Sequence, residues 1–142
     1  MKTVNLPKYQ KEILEYSERV IEAFHPDCIV LHGSLARGSF TTTSDIDLVV
    51  IGGALPDNFF KRLFELNRLR DGKTPLEVIG YTLREWEQMM ANHHLTTLEV
   101  LQWGIPLTGQ KLFRQWQRKL EEWKSQGLRR TENSWVIPQA LR

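Results

Sequence analysis

Two aspartates, Asp45 and Asp47, stand one residue apart at the start of an apolar run. Side chains two positions apart on a strand point to the same face, so these carboxylates would lie side by side while Ile46 points into the core. Carboxylates this close repel each other, and a divalent cation relieves the repulsion. Mg²⁺ suits the pair, because it usually takes one or two protein carboxylates and leaves coordination positions for a nucleoside triphosphate.

A glycine turn precedes the aspartates and supplies the second half of a phosphate site. Gly33 lets the backbone approach a ligand closely, and the N–H groups that follow can bind an anion. The Ser34 hydroxyl can donate to a phosphate oxygen, and Arg37 and Ser44 are further candidates for contact with the nucleotide. The combination of a strand, Gly-Ser, a ten-residue insert and Asp-x-Asp is more specific than either half alone.

A third carboxylate, Glu77, interrupts an otherwise apolar predicted strand. Burying an unpaired glutamate is costly, so this side chain either reaches solvent or meets a cation. The alternative interpretation is structural: Asp45 closes a turn, Asp47 forms a surface ion pair with Arg37, and Glu77 is an exposed strand residue. The sequence pattern leaves both interpretations open at this point.

A small α/β fold must position these residues. Apolar periodicity and turn residues predict helices over 7–24, 34–40, 56–70, 82–94, 94–104 and 110–127, and strands over 28–33, 45–53 and 75–81, with 105–109 as a further extended piece. Thr82 and Glu85 have the spacing of a capping box. The expected architecture is a small mixed sheet of three to four strands flanked by helices, with the strand order undetermined.

The second helix has a predicted apolar side. Its members are Phe59, Phe60, Leu63, Leu66 and Leu69. We expect one domain over 1–142, with a core at about 8–108 and a C-terminal helix and tail at 109–142.

Composition narrows the class of protein. With 41% hydrophobic and 25% charged residues, the chain is typical of a soluble globular protein, and no apolar run approaches the roughly 20 residues that span a bilayer. One cysteine, Cys28, suits a cytoplasmic setting. A net charge of +2 is too small to argue for nucleic acid as a partner, although the basic helix over 110–127 leaves such a contact open.

The segment GSLARGSFTTTSDIDLVV and the downstream PLEVIGYT resemble the nucleotidyltransferase superfamily that contains DNA polymerase β and kanamycin nucleotidyltransferase. The resemblance is closer to its small "minimal nucleotidyltransferase" members and implies a polymerase-β-like nucleotidyltransferase fold. It also implies that Gly33 and Ser34 hold the nucleotide phosphates and that Asp45 and Asp47 bind the metals. Glu77 takes the place of the third carboxylate, where the family more often has aspartate.

The activity implied by this resemblance is transfer of a nucleoside monophosphate, AMP from ATP, to an acceptor hydroxyl with release of pyrophosphate. Two Mg²⁺ ions would take part. The implied setting is a toxin–antitoxin pair, in which the protein is the antitoxin of a small helical HEPN-type partner and can modify it with AMP. The alternative is a non-catalytic antitoxin that keeps the fold and neutralises its partner by contact. The acceptor, the base preference and self-association into a homo-oligomer are left open.

Overall fold

The computed structural model of the chain describes residues 9–33 and 45–142, and a mixed four-stranded sheet forms its centre. The strands are β1 (Cys28–His32), β2 (Ile46–Ile51), β3 (Leu76–Tyr81) and β4 (Ile105–Thr108). Their order is β3-β2-β1-β4, with β1 antiparallel to β2 and to β4 and with β2 parallel to β3. The predicted α/β class and small mixed sheet are confirmed, and the extended piece at 105–109 provides the fourth strand.

Five helices flank this sheet in the part of the chain that the structure describes. They are α1 (Gln10–Phe24), α2 (Phe59–Arg68), α3 (Leu83–Ala91), α4 (Leu95–Trp103) and α5 (Gln110–Ser125). The predicted capping box opens α3: the Thr82 hydroxyl accepts from the Glu85 N–H at 3.1 Å, and the Glu85 carboxylate accepts from the Thr82 N–H at 2.7 Å. The short helix predicted over 34–40 lies outside the described residues. Among 9–33 and 45–142, no helix has the length and apolar character that crossing a membrane requires.

The tail, whose sequence has no clear period, forms a small hairpin of β5 (Arg129–Arg130) and β6 (Trp135–Val136). Its anchor is Glu99 on α4. The Arg130 guanidinium donates to both carboxylate oxygens of Glu99 at 3.0 Å, and the Trp135 indole N–H donates to the same group at 3.2 Å. These contacts attach the tail to the helical layer.

The two faces of the sheet carry separate apolar clusters, since alternate strand residues point to opposite faces. The α1/α2 face buries residues of β1, β2 and β3 against the first two helices. The α3–α5 face buries the alternate residues against the last three helices and the tail. At the end of the sheet nearest the aspartates, each face carries one residue from each of β1, β2 and β3. These residues are Leu31, Leu48 and Val78 on the α1/α2 face, and His32, Asp47 and Glu77 on the α3–α5 face.

The predicted apolar side of α2 is wrong for its first two members. Phe59 is 51% and Phe60 is 77% exposed, and Leu63 is only half-buried. The helix instead turns Arg62 and Leu66 inward, four residues apart on one face. A hydrophobic stripe predicts the orientation of a helix only when no other side chain makes better interactions in the buried position. In α2 the arginine Arg62 makes such interactions.

Arg62 is buried because its guanidinium finds a partner in every direction. It donates to the backbone oxygens of Pro56, Asp57 and Gly80 at 2.8–2.9 Å and forms a 2.9 Å ion pair with Glu85. Buried charges are tolerated when they are paired and hydrogen-bonded in this way. Arg62 thereby joins α2 to β3 and, around the edge of the sheet, to α3.

Candidate active site

His32, Asp47 and Glu77 form a row across three adjacent strands. The register pairs His32 with Asp47 across β1 and β2, and Asp47 with Glu77 across β2 and β3. Residues paired across neighbouring strands direct their side chains to the same face. All three line a cavity of about 200 Å³ on the α3–α5 face.

The row lies where the packing of this face ends. Farther along the strands Val30 and Val49 are buried, whereas His32 and Asp47 are half-buried and Glu77 is exposed. Ile46, between the two aspartates, is fully buried on the opposite face. Because successive side chains of a strand point to opposite faces, Asp47 and Glu77 lie at the edge of the apolar core, where they line the cavity.

The glycine turn lies directly against this row. Gly33 has φ +79°, a left-handed conformation that side chains rarely adopt, and a Cβ there would collide with the Asp47 carboxylate. A side chain at position 33 would therefore be strained and would displace the Asp47 carboxylate. The close approach of the Gly33 backbone to the Asp47 carboxylate suits a phosphate that is bound together with a metal.

The other predicted site residues are distributed differently. Asp45 stands one residue before β2 and is exposed. Ser34, Arg37 and Ser44 lie outside the described residues, so their predicted contacts with the nucleotide stay predictions. Across 9–33 and 45–142, no three histidine, cysteine, aspartate or glutamate side chains are grouped as a metal site.

The donor set nevertheless fits Mg²⁺. Asp47 and Glu77 bring two carboxylates to register-paired positions of parallel strands, and like charges at such positions are destabilising without a counter-charge. Mg²⁺ commonly takes one or two carboxylates and completes its coordination with waters and substrate phosphates. A third carboxylate is therefore not needed for the ion to bind here.

The cavity contains residues that the sequence analysis did not assign to the site. Ile79 and Tyr81 follow Glu77 at two-residue intervals on β3, and Thr96 comes from the first turn of α4. The strand alternation could have identified the first two, whereas nothing in the local sequence brings Thr96 to the site. Burial, reinforced by the nearby Glu85 carboxylate, raises the pKa of Tyr81 above its ordinary value, so its hydroxyl keeps its proton at neutral pH.

The sequence of the chain matches a known protein family. A family model described as the nucleotidyltransferase domain matches residues 11–98. The fold is similar to that of a crystal structure described as a toxin–antitoxin with AMP-PNP, with TM-score 0.54, 17% identity, and coverage of 80% of this chain and 87% of that one. A crystal structure described as a "putative nucleotidyltransferase" from Sulfolobus solfataricus is 30% identical over 49% of this chain and 65% of its own, with TM-score 0.41. No curated protein matches the sequence.

The matched segment covers more than half of the chain. It runs from α1 into α4 and contains the glycine turn, both aspartates and Glu77. Strands β1, β2 and β3 and the carboxylate row described above therefore lie within the part of the chain that the family model matches, and the protein belongs to the nucleotidyltransferase domain family.

Proposed function

We propose that the protein transfers a nucleoside monophosphate, AMP from ATP, to an acceptor hydroxyl and releases pyrophosphate. The observation that carries this proposal is the register pairing of Asp47 with Glu77 directly against Gly33. Family membership supports the class of reaction, and the cavity beside the row offers room for the reacting groups.

Four predicted site residues have roles in this proposal. The backbone at Gly33 binds the phosphates, and Asp45 and Asp47, with Glu77, would hold Mg²⁺. When bound, the metal neutralises the charge of the triphosphate and of the leaving pyrophosphate. The Glu77 carboxylate accepts the proton of the acceptor hydroxyl.

The proposed transfer forms one bond to phosphorus and breaks another. The acceptor oxygen forms a bond to the α-phosphorus, while the bond from that phosphorus to the bridging oxygen breaks. Pyrophosphate leaves with the electron pair, and the acceptor proton stays on Glu77 until solvent removes it. Such transfers depend mainly on positioning and charge neutralisation, so a small domain can catalyse them.

The biological setting that we propose is a toxin–antitoxin pair with a HEPN-type helical partner. The toxin–antitoxin description of a protein with a similar fold supports this setting. A second candidate function is neutralisation of the partner by contact alone, and the aromatic face of α2 favours it. That face consists of Phe59, Phe60 and Phe64, which are 51%, 77% and 65% exposed. Exposed apolar patches of several hundred Å² commonly mark protein contacts.

A labelled-nucleotide assay tests the catalytic proposal. The purified protein, alone and with its copurifying partner, is incubated with Mg²⁺ and each α-labelled nucleoside triphosphate, and transferred label and pyrophosphate are measured. Asp45→Asn with Asp47→Asn should lower transfer by at least about 10²-fold, because charge-stabilising groups of an active site typically contribute that much. The matched control is Glu18→Gln with Glu22→Gln, two exposed carboxylates on α1 at the opposite face.

The outcomes separate the two candidate functions. Transfer that survives in the aspartate variant would show that the catalytic site lies elsewhere. A wild-type protein that binds its partner tightly but never transfers label would favour neutralisation by contact. A melting temperature that rises with AMP-PNP and Mg²⁺ in the wild type, and not in the aspartate variant, would locate the nucleotide independently of turnover.

A further inference from the structure

A second cavity lies between α4 and α5, and within the described part of the chain it shares no lining residue with the cavity beside the carboxylate row. Its volume is about 450 Å³, against about 200 Å³ for the cavity beside the row. Leu101 and Gln102 reach it from the last turn of α4, whereas Thr96 lines the cavity beside the row from the first turn. The two cavities therefore lie at opposite ends of the same helix.

The α4/α5 cavity has an apolar floor, and hydrogen bonds join the two helices around it. Leu101 and Leu120 are 1% and 2% exposed, so they form the floor. The Gln117 amide donates to the Leu101 backbone oxygen at 3.1 Å. Farther along α5, the Lys124 ammonium donates to the side-chain oxygen of Gln102 at 2.6 Å. These contacts fix α5 against α4, and the cavity is thus formed before any ligand binds.

The charges around the α4/α5 cavity are paired at one end and unpaired at the other. Lys124 forms a 3.4 Å ion pair with Glu121, so the charges at this end cancel. Arg114 and Arg118 line the other end and lie one turn apart on the same face of α5. Both are exposed, and within 9–33 and 45–142 neither forms a hydrogen bond or an ion pair. Two guanidinium groups are therefore available to a single ligand.

Two guanidinium groups beside an apolar floor suit a small phosphate ester. Arginine binds phosphate through parallel N–H···O bonds, and a phosphate monoester offers several acceptor oxygens that two such groups can share. The cavity volume is within the range of about 300–1,000 Å³ of small-molecule sites, where an apolar lining surrounds a few polar groups. We propose that the α4/α5 cavity binds a small phosphate ester, whose phosphate contacts Arg114 and Arg118 and whose apolar body covers Leu101 and Leu120. This site is separate from the proposed catalytic one and does not depend on nucleotidyl transfer.

The charge pattern of α5 favours a small ligand over a nucleic acid. Arg114 and Arg118 span a single turn of the helix, and Glu121 and Glu122 follow in the next one. A nucleic acid carries one phosphate charge per nucleotide and is bound mainly by series of cations. A strand that extended along α5 would bring its phosphates against these two exposed carboxylates, whereas a small phosphate ester would contact the arginines alone.

Calorimetric titration of the purified protein tests this site. The main probe is naphthyl phosphate. Inorganic phosphate lacks the apolar body, naphthol lacks the charge, and a short single-stranded oligothymidylate represents nucleic acid. The titrations are made at physiological salt, which screens diffuse surface charge. They contain neither nucleoside triphosphate nor divalent cations, so that the acidic row does not bind phosphate.

Two matched double variants each remove two positive charges from α5. Arg114→Gln with Arg118→Gln changes residues that line the cavity. Lys111→Gln with Lys119→Gln changes residues of the same helix that do not line it. All four side chains are exposed, so we expect both variants to fold, and their melting temperatures check this.

We expect the wild type to bind naphthyl phosphate more tightly than inorganic phosphate or naphthol. The arginine variant should weaken this binding at least about tenfold, because hydrogen bonds to charged groups contribute that much, and the lysine variant should bind as the wild type does.

Three results would overturn the proposal. The first is a wild type that does not bind naphthyl phosphate, or that binds inorganic phosphate equally well. The second is an arginine variant that binds as the wild type does, or that loses no more affinity than the lysine variant, since either would show that the probe is not held in this cavity. The third is tighter binding of the oligothymidylate than of naphthyl phosphate, which would identify a nucleic-acid surface. None of these results bears on the proposed transfer, because no triphosphate or metal is present.

Discussion

The two faces of the sheet differ in burial and polarity at the end nearest the aspartates, where adjacent residues of the same strands point to opposite faces. On the α1/α2 face, Leu31, Leu48 and Val78 form a row across β1, β2 and β3 and are at most 3% exposed. One residue away on the α3–α5 face, the row is polar and lines a cavity. The backbone is shared, so the difference lies wholly in the side chains.

The two rows therefore have different roles: the apolar row stabilises the fold, and the polar row is the candidate functional site. The apolar row contributes to stability by burial, whereas the polar row brings two carboxylates, Asp47 and Glu77, to paired positions of neighbouring strands. The pairing of Asp47 with Glu77 beside Gly33, whose left-handed φ strains most other residues, is the structural feature on which the proposal of catalysis rests.

The largest expected effect contrasts adjacent residues of β2. Leu48→Ala should lower the free energy of unfolding by about 2–5 kcal/mol, because it opens a cavity in a fully packed face. Asp47→Asn should change that energy by less than about 1 kcal/mol while abolishing transfer. Urea unfolding and the transfer assay on folded protein measure both quantities. If Asp47→Asn proves as destabilising as Leu48→Ala, the polar row is a structural element and the comparison fails.

A smaller effect is expected at the glycine turn, with a control of the same backbone geometry. Gly33 and Gly72 both have φ +79°, but a Cβ at Gly72 meets nothing within 4 Å, whereas one at Gly33 collides with the Asp47 carboxylate. Both alanine variants should lose about 1–2 kcal/mol of stability from the left-handed backbone. Only Gly33→Ala should also lose nucleotide binding, measured by the AMP-PNP melting shift. Equal AMP-PNP melting shifts in Gly33→Ala and Gly72→Ala would show that Gly33 does not take part in nucleotide binding.

Sequence periodicity predicted most of the sheet, because alternation along a strand is local. Whether Glu77 faces Asp47 stayed open, because this depends on the register between β2 and β3. The orientation of α2 could not be predicted, because it depends on Arg62 reaching the Gly80 carbonyl, which is distant in the chain. Thr96 could not be found either, since its place in the cavity depends on how α4 packs.

The smallest expected effect lies where the two faces are connected. Arg62 of α2 reaches around the β3 edge to Glu85 of α3, whose side chain is 44% exposed. Burial alone would raise the pKa of Glu85, but the Thr82 N–H and the Arg62 guanidinium outweigh it and lower the pKa below its ordinary 4.5. A lowered pKa in the folded state means that the stabilisation is present above about pH 4.5 and is lost as the pH falls through the folded-state pKa.

Glu85→Gln should therefore lower Tm by about 1–3 °C at pH 7, as expected of a partly exposed ion pair, and the gap should narrow towards pH 3. Glu87→Gln, on the exposed side of the same helix, is the control, and a gap for Glu85→Gln that stays constant from pH 7 to pH 3 would mean that the carboxylate charge does not stabilise this connection.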